Sequence, residues 1–385
     1  MTELDMKKSF VECYGGEGEI IEFFSPGRVN LIGEHIDYNG GFVFPCALDF
    51  GTYAAVRLRD DNIVNFATLN FDKKVSLNLD SVKYLKEDDW VNYPKGVIHE
   101  FQKKGCVVKG FDILYYGNIP NGSGLSSSAS LEVLTGVVIN ELFNGGQSMV
   151  DIVLMSQSAE NNFVGLNCGV MDQFAVGMGK KDHAILLDCN TLKYDYVPLV
   201  LDGVKIIIGN TKKRRGLADS KYNERRSECD RAVLDLNKEL NITYLCDLDA
   251  KTFEDKKILI SDSICRNRAE HAVYENIRTI QAKEALEAGD LTKFGLLMNE
   301  SHNSLRDLYE VSCNELDVMV EAARKVDGTI GARMTGAGFG GCTVSLVREE
   351  SVEKFIKSVG DEYEAKTGLK PEFYVAGVGQ GAGRL

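Results

Sequence analysis

Glycine and serine crowd the stretch from Gly117 to Ser130, which reads Gly-Asn-Ile-Pro-Asn-Gly-Ser-Gly-Leu-Ser-Ser-Ser-Ala-Ser. Glycines let a backbone turn tightly and bring its N–H groups against a ligand. The apolar positions Leu131, Leu134, Val138 and Leu142 that follow fall on one helical stripe, so the loop opens a helix whose N-terminus adds free N–H donors and partial positive charge. The segment as a whole is thus a candidate phosphate cradle, and its three consecutive serine hydroxyls can cap the helix or hold a metal. No Gly-Lys-Ser/Thr follows and the spacing is not G-x-G-x-x-G, so neither common nucleotide loop applies. A second loop, Gly331-Ala-Arg-Met-Thr-Gly-Ala-Gly-Phe-Gly-Gly341, holds five glycines in eleven residues just before a predicted strand. Two such loops on separate halves suggest a nucleotide at a domain junction.

The elements around these loops follow from apolar spacing and turn residues. Strands are predicted at 20–24, 42–48, 52–58, 63–66, 111–116 and 183–187, with helices at 90–103, 129–143 and 149–163. The second half opens with a strand at 204–209, then helices from about 218, at 271–288 and at 291–308, and strands at 344–347 and 373–378. Strands and helices mix without strict alternation, which favours an α+β fold. With 385 residues, one large or two ordinary domains are expected. We place the cut near residue 195, giving 1–195 and 196–385, although no linker composition marks it.

Composition narrows the function. The 44 basic and 57 acidic side chains give a net charge of −13, which argues against nucleic-acid and anionic-membrane partners. No apolar run approaches the length of a membrane span. Ten cysteines are scattered without a C-x-x-C pair and no signal peptide precedes them, so reduced thiols in a cytoplasmic protein are expected. The one basic run, Lys212-Lys-Arg-Arg215, reads as a solvated loop.

A third segment is longer and more specific. Ser25-Pro-Gly-Arg-Val-Asn-Leu-Ile-Gly-Glu-His-Ile-Asp-Tyr-Asn-Gly-Gly41 closely resembles the galactokinase signature. The two glycine-rich loops resemble the second and third motifs of the GHMP small-molecule kinases, and Asn167-Cys-Gly-Val-Met-Asp-Gln-Phe174 and residues 216–226 also resemble galactokinases. The resemblance implies a two-domain GHMP-kinase fold with the active site in the cleft between the domains. It implies transfer of the ATP γ-phosphoryl to the 1-hydroxyl of α-D-galactose, with Mg²⁺.

By that resemblance Asp172 orients the sugar hydroxyl or takes its proton, and Arg28 polarises both and stabilises the phosphoryl charge. Glu34, His35, Asp37, the Gly169 backbone and Tyr222 would bind the sugar hydroxyls, although Tyr222 also lies on the apolar stripe of its helix. Residues 122–128 (Gly122, Ser123, Gly124, Leu125, Ser126, Ser127 and Ser128) would wrap the phosphates, Ser128 and Glu160 would hold Mg²⁺, and Thr68, Trp90 and Tyr93 would line the adenine pocket. Ile36 stands where many galactokinases have threonine, which raises an N-acetylgalactosamine kinase as an alternative. A non-catalytic galactose sensor is the other, disfavoured because Arg28, Asp172 and the phosphate loop are intact. A monomer is expected.

Overall fold

The computed structural model describes residues 5–119, 124–213 and 218–385; Gly122, Ser123, Arg214 and Arg215, singled out above, lie outside them. The first of its sheets orders six strands as Gly383–Arg384, Ile21–Asn30, Pro45–Leu58, Phe111–Gly117, Ile63–Thr68 and Val75–Asn78. Among the described residues only Ile63–Thr68 and Phe111–Gly117 pair in parallel, and helix Asn92–Lys103 lies in the crossover that such a pair requires. A four-stranded antiparallel sheet follows the order Thr329–Thr335, Cys342–Arg348, Val204–Asn210, Glu372–Ala376. A third sheet joins Phe42–Val43, His183–Asp188 and Tyr194–Pro198.

The strand predicted at 20–24 runs on to Asn30, through the Ser-Pro-Gly of the signature. Its register with Pro45–Leu58 shifts between Pro26 and Arg28, a bulge centred on Gly27, and a bulge re-aims the next side chain. The segments predicted at 42–48 and 52–58 are largely one strand. Gly51 sits in it against the Ser25 and Pro26 backbone, where no side chain fits. Strands Val75–Asn78 and Tyr194–Pro198 and helix Met171–Met178 are additions to the predicted set.

Helices Asn92–Lys103, Ser127–Leu142 and Met149–Ser158 pack with the six-stranded sheet around Phe101, Phe111, Val133 and Val138, all fully buried. The helix predicted at 149–163 begins on a Ser148–Asp151 capping box and stops early. It continues as a wider, i→i+5 turn over Ala159–Val164, a distortion that recurs at functional sites. A second core combines Val29, Phe44 and Leu48 from the first half with Ile206, Phe294 and Val344 from the second. The cut expected near 195 falls inside strand Tyr194–Pro198, and this shared core needs no polar linker there. Gly383–Arg384 returns to pair with Phe23 and Phe24, so the last residues sit across that cut from the rest of the second half. None of the ten cysteines, all of them among the described residues, forms a disulfide. Among the described residues no helix is long and apolar enough to cross a membrane.

Candidate active site

Arg28, just past the bulge, is almost wholly buried. Its Nε donates to Asp172 Oδ1 and its Nη2 to Oδ2, both at 2.9 Å, while Nη1 donates to the Gly124 carbonyl at 2.7 Å. Asp172 stands in the first turn of helix Met171–Met178, where the helix dipole favours an anion. The Ser126 hydroxyl donates to Asp172 Oδ2 at 2.5 Å. Ser126 takes a left-handed φ of 61° at the start of helix Ser127–Leu142, so the glycine-rich loop, the bulged strand and the Asp172 helix meet at one carboxylate.

A cavity of about 280 Å³ opens over this pair, lined also by Glu34, His35, Asp37, Ser128, Glu160, Gly169 and Tyr222. The three quoted motifs therefore converge on one space. Glu34 Oε1 accepts from the Gly336 N–H at 2.7 Å and the Thr335 hydroxyl at 3.0 Å, with the buried Arg333 guanidinium 3.5 Å away. Asp37 loses bulk water and faces the Asp172 carboxylate, and burial first, then Asp172, push its pKa up to about 7. Gly169 abuts Asp37 so closely that a Cβ there would overlap the carboxylate. Glu160 is held above the ordinary carboxylate range, first by burial and then by Asp172, and the Ser128 hydroxyl bonds it.

Ser128 and Tyr93 also line a second cavity of about 310 Å³, walled by Thr68, Asn70, Phe71 and Trp90 and reaching Ser127. The two cavities thus share a wall at the start of helix Ser127–Leu142. The Trp90 indole N–H is buried there, with no partner among the described residues. Hard oxygen donors suit Mg²⁺, which keeps waters and substrate oxygens besides one or two protein ligands. The Ser128 hydroxyl and Glu160 carboxylate, beside the Asp172 carboxylate, fit such an ion.

Several expected roles change. Ile36 is fully buried among Val43, Val153, Phe174 and their neighbours, and it is not among the residues lining the cavity of about 280 Å³. It anchors the loop, so its identity says nothing direct about the sugar's C2 substituent. The Leu125 side chain likewise packs beside Val29 and Ile119 in the second core, leaving only its backbone for a ligand. His35 lines the cavity, but Nδ1 lies 2.9 Å from the Tyr38 hydroxyl and Nε2 3.1 Å from the Ala337 carbonyl. Both ring nitrogens therefore have protein partners. Of the basic run, Lys212 pairs with Glu372 and Lys213 with Glu315.

Gln173, Glu132, Asn70 and Phe71 were not anticipated. Gln173 Nε2 donates to Glu160 Oε2 at 2.6 Å and to Glu132 Oε2 at 3.1 Å. Glu132 is fully buried and is driven well above its usual pKa by burial and then by Glu160. A lone charge between Leu131 and Val133 in an apolar helix was the available signal. Asn70 and Phe71 carried none.

The galactokinase galactose-binding signature matches residues 8–58, the GHMP kinases N terminal domain residues 92–180 and the GHMP kinases C terminal domain residues 282–365. Galactokinase of Clostridium beijerinckii is 57% identical over 383 residues, 99% of this chain and 98% of that protein. Galactokinase of Bacillus subtilis is 53% identical over 384 residues, 99% of this chain and 98% of that protein. The crystal structure of Lactococcus lactis galactokinase complexed with galactose superposes with a TM-score of 0.96 at 48% identity, covering 98% of each chain. A Methanococcus jannaschii mevalonate kinase at 21% identity and a TM-score of 0.70, covering 95% of this chain and 99% of its own, shares the fold. With signature, full-length relatives and fold in agreement, the chain belongs to the galactokinase family of GHMP kinases.

Proposed function

We propose that the protein transfers the γ-phosphoryl group of ATP to the 1-hydroxyl of α-D-galactose, giving α-D-galactose 1-phosphate. The observation that carries this reading is the pair of cavities meeting at Ser128 and Tyr93, with the Arg28–Asp172 pair on the wall of one of them. The sugar occupies the cavity over Asp172, and the adenine lies between Thr68, Trp90 and Tyr93.

Phosphoryl transfer needs positioning and charge stabilisation more than covalent chemistry. A carboxylate has about four lone-pair sites. Arg28 takes one on each oxygen and Ser126 another on Oδ2, which leaves one on Oδ1 for the attacking hydroxyl. Asp172 in this role fixes the hydroxyl's direction and receives its proton as the bond to phosphorus forms. Arg28, desolvated and held by the Gly124 carbonyl, supplies positive charge where negative charge spreads over the transferring oxygens. The free N–H groups at the start of helix Ser127–Leu142 add partial positive charge on the same side.

Glu34, Asp37, the Gly169 backbone and Tyr222 form the hydroxyl-reading wall. A site whose polar groups are stranded by a missing or inverted hydroxyl rejects that sugar strongly. Ser128 and Glu160 would hold Mg²⁺, which when bound would neutralise phosphate charge. The first half, to about residue 195, supplies most of the site and the second half closes it with Tyr222, Gly336 and Ala337. Cysteines without disulfides support a cytoplasmic setting, and a single chain supplies every residue given a role, so a monomer suffices.

The test is sugar-dependent ADP release from Mg-ATP with galactose, N-acetylgalactosamine, glucose or no sugar, with the product's phosphate located by ³¹P NMR. Turnover with galactose giving the 1-phosphate is expected. Turnover with N-acetylgalactosamine alone, or galactose binding without turnover, would overturn the reading.

A further inference from the structure

Glu34 and His35 are adjacent in sequence, and both reach the same loop of the second half. Glu34 takes the Gly336 N–H, and His35 Nε2 meets the Ala337 carbonyl, 302 positions further on. Gly336 and Ala337 themselves line the sugar cavity. A carbonyl only accepts, so Nε2 carries the ring proton. Burial, with His271 next, holds the His35 pKa down to about 3, so the ring is neutral and Nδ1 is bare.

The remaining directions follow one from another. The Tyr38 hydroxyl, 2.9 Å away, donates to Nδ1. Its proton committed, the Tyr38 oxygen accepts from Tyr309 Oη at 2.8 Å. Tyr309 in turn accepts from the Cys229 thiol at 3.2 Å, a thiol that burial pushes up to about 12 and so keeps protonated. Asn39 Nδ2 donates both to Cys229 Sγ and to the His35 carbonyl, tying the two ends of the chain together. The His35 backbone has a left-handed φ of 63°, a conformation unfavourable for a residue with a Cβ that persists only where surroundings impose it. The ring is wedged between Tyr222 at 5.6 Å and Tyr309 at 5.1 Å.

We propose that His35 is a positioning residue and not a sugar ligand. A one-way hydrogen-bond chain from Cys229 through Tyr309, Tyr38 and His35 to the Ala337 carbonyl holds the Gly336–Ala337 wall, and with it Glu34, in place against the sugar. Neither Tyr38 nor Tyr309 is among the residues lining that cavity. Removing a hydroxyl from either leaves its ring packing intact, so the effect reaches the sugar through His35.

The spectroscopic arm of the test is independent of the galactokinase reading, whereas the kinetic arm rests on it. In the full-length protein at neutral pH, ¹⁵N NMR of the His35 ring should show a proton on Nε2 and a bare, hydrogen-bonded Nδ1. The opposite tautomer, or a charged ring, overturns the chain whatever the protein phosphorylates. In kinetics, Tyr38→Phe strands Nδ1 and should raise the KM for galactose about tenfold, with kcat and the KM for ATP changed less than about threefold. Tyr309→Phe should do the same more weakly, and His35→Gln, which keeps an N–H for Ala337, should retain more affinity than His35→Leu.

The decisive comparison sets Tyr38→Phe and His35→Leu against galactose and its 2-, 3-, 4- and 6-deoxy analogues. A positioning role that acts through Glu34 predicts that any deoxy sugar escaping the loss is the one that also escapes it in Glu34→Gln. If a deoxy sugar still weakened by Glu34→Gln escapes the loss in His35→Leu, His35 bonds the hydroxyl it lacks, and the proposal fails. Absence of galactose turnover in the wild type would sink the functional reading while leaving the NMR result to decide the chain.

Discussion

On the sugar side of Ser128, most polar groups at the cavity already hold protein partners: Arg28 has Asp172 and Gly124, Glu34 has Gly336 and Thr335, and His35 has Tyr38 and Ala337. The cavity on the other side carries four aromatic rings, Phe71, Trp90, Tyr93 and Tyr115, among smaller residues, and the Trp90 N–H is buried with no partner among the described residues. A pre-bonded wall has few rotamers to lose and counts hydroxyls, because a mismatch strands a buried group. An aromatic slot accepts any flat base of suitable size, leaving the phosphates to fix the nucleotide's position. The contrast predicts that errors on the sugar side are expensive and errors on the nucleotide side mild.

Removing Arg28 should do the most damage, since it leaves Asp172 without two N–H donors and takes a buried guanidinium from the proposed site of transfer. Arg28→Ala is expected to lower kcat/KM by about 10³-fold in steady-state assays. A loss under about tenfold would remove Arg28 from the chemistry. Next comes Gly169→Ala, whose methyl group would overlap the Asp37 carboxylate. The KM for galactose should rise about 10²-fold while that for ATP stays within about threefold. Equal changes in both would erase the distinction between the two sides.

The sign of a pH effect sharpens the comparison further. If Asp37 accepts from a sugar hydroxyl as the carboxylate, as proposed, its pKa of about 7 means that galactose binding should be full above that pH. Below it, affinity should fall by up to about tenfold per pH unit as the folded protein protonates. Calorimetric titration of galactose across a range from about pH 5.5 to about pH 8.5 reads this, and Asp37→Asn should flatten the profile at low affinity. The smallest effect is expected on the nucleotide side. Trp90→Phe removes a buried donor that has no partner among the described residues, so thermal stability should change by no more than about 1 kcal/mol and the KM for ATP by less than about threefold.

Much of this arrangement was legible in the sequence because it is carried by contiguous motifs. Arg28, Glu34 and Asp37, then Ser128, then Gly169 and Asp172, come from three separate segments and line one cavity. What the sequence could not show was the direction of each side chain within a motif. Ile36 sits between two cavity residues and points into the core because the loop turns there, with His35 at positive φ. His35 looked available for a sugar because its partners Tyr309 and Ala337 lie far along the chain. Glu132 and Gln173 needed the fold to reveal that they back Glu160. The strand Ile21–Asn30 ran longer than its apolar pattern because a bulge, not a turn, absorbs its Ser-Pro-Gly. The segment 149–163 read as one helix because a single-turn widening at Ala159 leaves the apolar period almost unchanged.

The central claim is that Asp172, fixed by Arg28 and Ser126, aims the attacking hydroxyl without being needed to bind the sugar. Asp172→Asn tests it most directly, with galactose affinity measured by calorimetry and phosphoryl transfer by single-turnover quench on the same preparation. The account predicts a galactose Kd within about fivefold of wild type and a transfer rate lower by about 10³-fold or more. A variant that still transfers within about tenfold of the wild-type rate, or that loses affinity in step with rate, would contradict it.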